Sequence, residues 1–149
     1  MEEVLFINEE FYKKNISHRQ AQDTSQVVST IRLVQKTNLK SIVSDPVYDY
    51  FQTQLLASAT LTEPELKLFQ SIQMFLAVKV AEEMVYAAPR AEENEKGGSH
   101  LSYRSKASLM EARIVRDINR DSTLLALAQS GTEEFDDTEF DNQGGFYFG

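Results

Sequence analysis

At 149 residues, with 42% hydrophobic and 26% charged residues, the chain has the size and composition of one globular domain with a substantial core. Three prolines and six glycines leave long uninterrupted stretches that predict an all-α class, and the absence of cysteine excludes a disulfide framework, a thiolate metal site and a cysteine nucleophile. The net charge of -8 sits mostly in residues 133 to 141, six carboxylates without a base, so the body is nearly neutral and shows nothing like the basic stripe that nucleic-acid phosphates require.

The opening MEEVLFINEE is acidic and its apolar run, Val4 to Ile7, is only four residues long; it is no signal peptide, and an intracellular product is expected. Asn8 is a good N-cap for one or two helical turns over Glu9 to Lys14, with glutamates at the start and lysines at the end, as the helix dipole favours. Residues 15 to 24, NISHRQAQDT, lack periodicity and read as a loop. From Ser25, the recurrence of Val27, Val28, Ile31, Val34, Gln35, Asn38, Leu39 and Ile42 predicts a helix over 25–43, ended by Asp45-Pro46. Ser44 is placed to cap the next helix, 45–57, with Pro46 in its first turn and Val47, Tyr48, Phe51 and Leu55 on one stripe.

The stretch Thr62 to Pro89 carries the clearest boundaries. Thr62-Glu63-Pro64-Glu65 is a capping box, in which the threonine hydroxyl and the glutamate carboxylate each accept from the other residue's amide. Pro89 has no N–H and disfavours helical geometry in Ala88, so a helix over 63–88 is expected. From Met74 to Ala81 it is apolar almost all the way round, which predicts cover on more than one side by other helices or by neighbouring subunits. Gln70, Gln73, Lys79, Glu82 and Glu83 interrupt the run, leaving far less than the about 18 uncharged residues of a membrane span.

After Pro89, RAEENEKGGSH is polar, with Gly97-Gly98 as a hinge, and HLSYR over 100–104 alternates Leu101 and Tyr103 in the manner of a short extended piece or β-arm. The loop 90–104 is expected to project and to contact a neighbouring chain through Leu101 and Tyr103 by strand addition. A last helix over 106–129 rests on Leu109, Met110, Ile114, Ile118, Leu125 and Ala128, with a break at Asp121-Ser122 and a stop at Gly131. Residues 132–149 alternate acidic and aromatic residues and are expected to be an extended arm. Its carboxylates repel one another, and Phe135, Phe140, Phe146, Tyr147 and Phe148 find no core in so short a segment, which makes them anchors on a partner protein. The expected architecture is a bundle of about four main helices over residues 1–131, with a short extended or β-arm loop, followed by the C-terminal arm 132–149.

Catalytic chemistry has little to stand on. His18 and His100 lie far apart in polar stretches and fit no Ser-His-Asp order. Glu82-Glu83 lacks the Glu-x-x-His spacing of di-metal bundles and reads as a helix face. Gly97-Gly98-Ser99-His100 lacks the lysine and spacing of a phosphate-binding loop, and it follows a helix rather than a strand. Asp137, Glu139, Asp141 and Asn142 superficially suggest a calcium loop, but Asn142 stands where its glycine is required and Phe148 stands in place of the bidentate glutamate. No catalytic, cofactor or metal residue is assigned, and a non-enzymatic protein is expected.

Five pieces in order, FINEEFYKKN, IRLVQKTNLKSIV, SDPVYDYFQTQL, PELKLFQSIQMFLAVKVAEEM and the polar turn KGGSHLS before a last helix, make the chain resemble the head-to-tail connector (neck, or head-completion) proteins of tailed bacteriophages, particularly those of crAss-like and other Bacteroidales phages. The likeness covers about residues 5 to 130 and rests on segment order and apolar pattern. The chain departs from it at Ser44-Asp45-Pro46, where that family tends to have a glycine-containing junction, and in the acidic tail after Gly131. The resemblance implies a non-enzymatic subunit of a homo-oligomeric ring in the virion neck, of about twelve copies, bound between the portal protein and adjacent neck or tail proteins around a channel for DNA. An acidic lumen would let DNA pass without sticking or sequence-specific binding, and no membrane is involved. The competing expectation, from the residues alone, is a small acidic helical regulatory protein that binds a basic partner through its tail.

Overall fold

The signals written at the helix ends recur in the computed structural model, which describes residues 3–16, 24–86 and 93–139, with side chains described over 3–16, 25–84 and 102–130. The elements are α1 (Glu9–Asn15), α2 (Thr24–Val34), a π-helical turn (Gln35–Leu39) running without a break into α3 (Lys40–Val43), α4 (Asp45–Leu56), α5 (Glu63–Tyr86), α6 (Glu93–Arg120) and α7 (Ser122–Glu139). Among the described residues there is no strand, and the class is all-α.

Local chemistry explains most of the boundaries. Asn8 Oδ1 accepts from the Phe11 amide at 2.7 Å and starts α1. The Thr62–Glu65 capping box is closed, with the Thr62 amide donating to Glu65 Oε1 at 2.9 Å and the Glu65 amide reaching Thr62 Oγ1 at 3.4 Å. Asp121 separates α6 from α7 by taking the Leu124 amide on Oδ2 at 3.0 Å and the Leu125 amide on its carbonyl at 2.9 Å. Ser58, at φ 52, ends α4: the Ala59 amide donates back to Gln54 O at 3.0 Å and the Ser58 amide to Leu55 O at 3.1 Å, a closure that glycine usually provides.

Three expectations are corrected. Residues 93–104, expected as a polar hinge and β-arm, belong to α6, because Tyr103, Ala107, Met110, Ile114 and Ile118 form one inward stripe of helical period that continues the last helix toward its start. Gly97-Gly98 costs this helix about 1 kcal/mol per glycine, which packing against α5 outweighs. Gly131 does not stop the last helix, and the extended arm expected from residue 132 is helical through Glu139: a single glycine is a modest penalty, and no proline follows Pro89. Ser44 stands at the N-cap of α4 without capping by its side chain. Its φ of 84 and ψ of 158 lie in a region that suits glycine almost alone, and its buried hydroxyl has no hydrogen-bond partner.

The centre of the fold is the antiparallel pair α5 and α6, the most extensive contact in the molecule. α1 and α2 cover α5 from another side, α3 lies against α6, and α4 packs on α7. The all-round apolar run in α5 is thus covered within one chain: Phe75, Leu76, Ala77, Val78, Val80 and Ala81 are all buried. Ser71 Oγ donates to Asp117 Oδ2 at 2.8 Å across the α5–α6 seam, a buried polar contact that fixes the register of the two helices.

The π-turn has a sequence cause. Val27, Ile31, Gln35, Leu39 and Val43 are all buried at intervals of four, and on a straight α-helix each such step overshoots a full turn by about 40°. One wider turn over Gln35–Leu39 absorbs the overshoot and keeps Gln35 facing inward. Gln35, 1% exposed, is one of three glutamines that hold the extended segment Val4–Phe6. Its Oε1 accepts from the Phe6 amide at 2.7 Å, and its Nε2 lies within hydrogen-bond distance of Val4 O at 2.8 Å and the Tyr48 hydroxyl at 3.1 Å. Gln52 takes the Val4 amide at 2.7 Å and returns a bond to Val4 O at 2.8 Å, while Gln73 donates to Phe6 O at 3.1 Å. The Phe6 ring then sits against Tyr48 at 5.5 Å and against Phe69 at 5.5 Å, and Phe69 stacks on Phe51 at 5.6 Å.

Gln35→Ala should lower unfolding free energy by roughly 2–3 kcal/mol in urea titration, because it orphans the buried Phe6 amide and removes one of the two bonds to the Val4 carbonyl. Gln26→Ala, on the exposed side of the same helix, should stay within about 0.5 kcal/mol of the parent. Ser44→Gly should raise stability by roughly 1 kcal/mol, the relief of strain outweighing the added freedom of the unfolded chain.

Candidate functional site

Of the residues that sequence pattern offered for chemistry, only the Glu82-Glu83 pair has described side chains. His18 lies outside the described residues, and His100 belongs to the first part of α6. Glu82 and Glu83 point to different surroundings: Glu82 is buried, with its Oε1 at 3.0 Å from Lys79 Nζ, whereas Glu83 is exposed. Among the described residues no three histidines, cysteines or carboxylates gather as a metal site, and no helix is long and apolar enough to cross a membrane.

The polar cleft between the π-turn, α5 and α6 encloses about 180 Å³ and is lined by Asn38, Ser41, Lys79, Glu82, Arg104 and Glu111 among others. Its charges balance, two cations against two carboxylates, and its lining holds no histidine. Ser41 Oγ is committed to the Asn38 carbonyl at 2.9 Å. Ser108 is the other hydroxyl in the lining.

The expected contact residues fall into three groups. Leu101 is on α6, with its side chain outside the described set. Tyr103, also on α6, is half-buried against the core of its own chain, and burial raises its hydroxyl pKa. Its ring lies close enough to Tyr12 to raise that residue's pKa further, and Lys106 Nζ rests 5.7 Å from the centre of the Tyr103 ring. The geometry of Tyr103 is that of an internal packing residue rather than of an anchor on a projecting arm. Phe135 is carried on α7 without a described side chain, and Phe140, Phe146, Tyr147 and Phe148 lie outside the described residues.

One surface escaped the sequence reading. Ser102, Lys106, Leu109, Arg113, Arg116 and Arg120 recur at intervals of four and three on α6, and all six are exposed. They form a single exposed stripe about 100° round the helix from the buried set, with Leu109 66% exposed in its middle. The expectation that the body has no basic stripe is corrected: net charge averages over the molecule, whereas the helix sorts five cations and two carboxylates over 102–120 by face, with one of those carboxylates, Asp117, turned inward. The outer positions have the same period as the inner ones, and that period was the available signal. No protein-family model, curated protein or solved structure matches the chain.

The tyrosines give a pH signature. Burial first, then the hydrogen bond to Glu3, pushes the Tyr48 hydroxyl up to about 12 from 10.0. Tyr50 is raised chiefly by its 2.5 Å hydrogen bond to Glu65, and Tyr12 and Tyr103 chiefly by burial. The folded state favours the neutral hydroxyls, so their contribution is complete below the unfolded value of 10.0 and is lost as pH rises through the folded values. Urea titrations should show stability independent of these groups at neutral pH and falling as pH rises above about 10, with the Tyr48 contribution lost by about pH 12. Tyrosinate absorbance should rise in step with that loss.

Proposed function

We propose that the chain is a structural subunit of a bacteriophage neck, forming an oligomeric ring between portal and tail around a channel for DNA, and that it performs no chemistry. The observation that carries this reading is at Ser44. In the connector family that the sequence resembles, the junction after the first long helix tends to contain glycine, and at that junction the backbone here adopts φ 84, ψ 158, a conformation suited to glycine. The order of elements supports the same reading: a long helix, a tight junction, the central α5 and then a last helical pair follow the segments on which the resemblance rests. A connector acts through its surfaces, and the acidic, aromatic tail is suited to such docking. Phe135, Phe140, Phe146, Tyr147 and Phe148 supply the apolar contact area and the carboxylates set register and partner choice.

The second reading, a small regulatory protein that sequesters a basic partner, is favoured by the six carboxylates in residues 133–141. Location separates the two. A neck subunit should be found in purified virions, held against the portal protein and adjacent neck or tail proteins, whereas a regulator should be found in infected-cell extracts and be absent from particles. Deletion of residues 132–149 should preserve a cooperative helical circular-dichroism melt and abolish incorporation into particles. Incorporation at the parental level would show that the tail only solubilises the chain.

A further inference from the structure

We infer that the outward stripe of α6 is the receptor for the acidic, aromatic C-terminal tail of a second copy of this chain. The inference rests on the tail being a docking arm, and it adds the surface on which that arm docks. From Ser102 to Arg120 the stripe is about 27 Å long at 1.5 Å per residue, long enough to seat the nine residues of the acidic run, Glu133 to Asp141, whether extended or helical. Lys106, Arg113, Arg116 and Arg120 present four positive charges there, and none of them is ion-paired among the described residues. Arg113 and Arg116 are three apart and Arg116 and Arg120 four apart, spacings at which like charges on one helix repel. The face is thus charged beyond what its own helix favours, and an anionic partner removes that repulsion.

Chemistry selects the partner. The tail offers Glu133, Glu134, Asp136, Asp137, Glu139 and Asp141 with Phe135 and Phe140 set among them. Carboxylates pair with guanidinium groups in a bidentate manner, and aromatic rings lie on guanidinium faces and on exposed apolar side chains such as Leu109. Nucleic-acid phosphates would use the four cations, gain nothing from Leu109 and be repelled by a chain of net charge -8. The stripe remains exposed with α7 in place, and α7 packs on α4 as well as on α6, so the helix that leads into the tail leaves the stripe of its own chain open. A tail seated on the next copy's α6 is a heterologous, head-to-tail contact, which closes into a ring when the rotation permits.

Sedimentation of the full chain at about 0.05 M and 0.5 M salt tests this. Two full-length variants are needed, Arg113→Glu with Arg116→Glu, and Glu134→Lys with Asp137→Lys, each checked for the parental circular-dichroism melt. The parent should self-associate at low salt, at least about tenfold more weakly at high salt. Each variant alone should associate at least about tenfold more weakly than the parent, and an equimolar mixture of the two should recover association, since each then supplies the complement of the other. A parent that stays monomeric, variants that associate like the parent, or a mixture that recovers nothing would overturn the inference. So would loss of binding to a short DNA duplex by the first variant with self-association unchanged, which would assign the stripe to nucleic acid. Because only purified chain is used, failure here is distinct from absence of the chain from virions, which bears on the neck reading.

Discussion

A peptide backbone carried into an apolar interior must find a partner for every N–H and C=O, and residues 4 to 6 are taken inside without a neighbouring strand to provide them. Side-chain amides do so instead. A glutamine offers a donor and an acceptor at its end, as a peptide group does, and Gln35, Gln52 and Gln73 bring these from the π-turn, α4 and α5. The arrangement ties three helices to one extended segment, and it accounts for the π-turn, which keeps Gln35 facing inward. It also seats Phe6 between Tyr48 and Phe69, so the aromatic cluster at that end depends on the same bonds.

Around this junction the fold is a pair of long helices wrapped by shorter ones. α5 was legible because its start signal is local, four residues that close on one another, and because its apolar run shows on inspection. Asp121 as a restart and Asn8 as a cap were legible for the same reason. The glutamine clamp was not, since each of its bonds spans 29 to 67 residues and glutamine is ordinarily a solvated residue. The start of α6 was misread because two adjacent glycines and the alternation of Leu101 with Tyr103 fit a short extended piece, while the longer stripe from Tyr103 to Ile118 fits a helix and wins through its contact with α5.

For function, the useful division is between what the chain covers by itself and what it leaves open. The apolar girth of α5, which sequence alone allows to be covered by neighbouring subunits, is enclosed by α1, α2 and α6 of the same chain. The outward face of α6 and the acidic tail carry opposite charge, and neither shows in a net value of -8. Tyr103, expected outside, was placed inside by helical phase, and the cations beside it in sequence were placed outside by the same phase.

The glutamine clamp also sets an order of events during synthesis. Val4 to Phe6 leave the ribosome well before Gln73, their most distant partner, and at about 5–20 residues per second the intervening 67 residues take roughly 3 to 13 seconds. Over that interval Phe6 and Ile7, buried in the finished fold, have no complete seat, and α1 beside them has yet to meet α5. The partner made earlier is thus among the last to be locked, and a nascent chain stalled before α5 exposes a short apolar segment to whatever binds such segments in the cell.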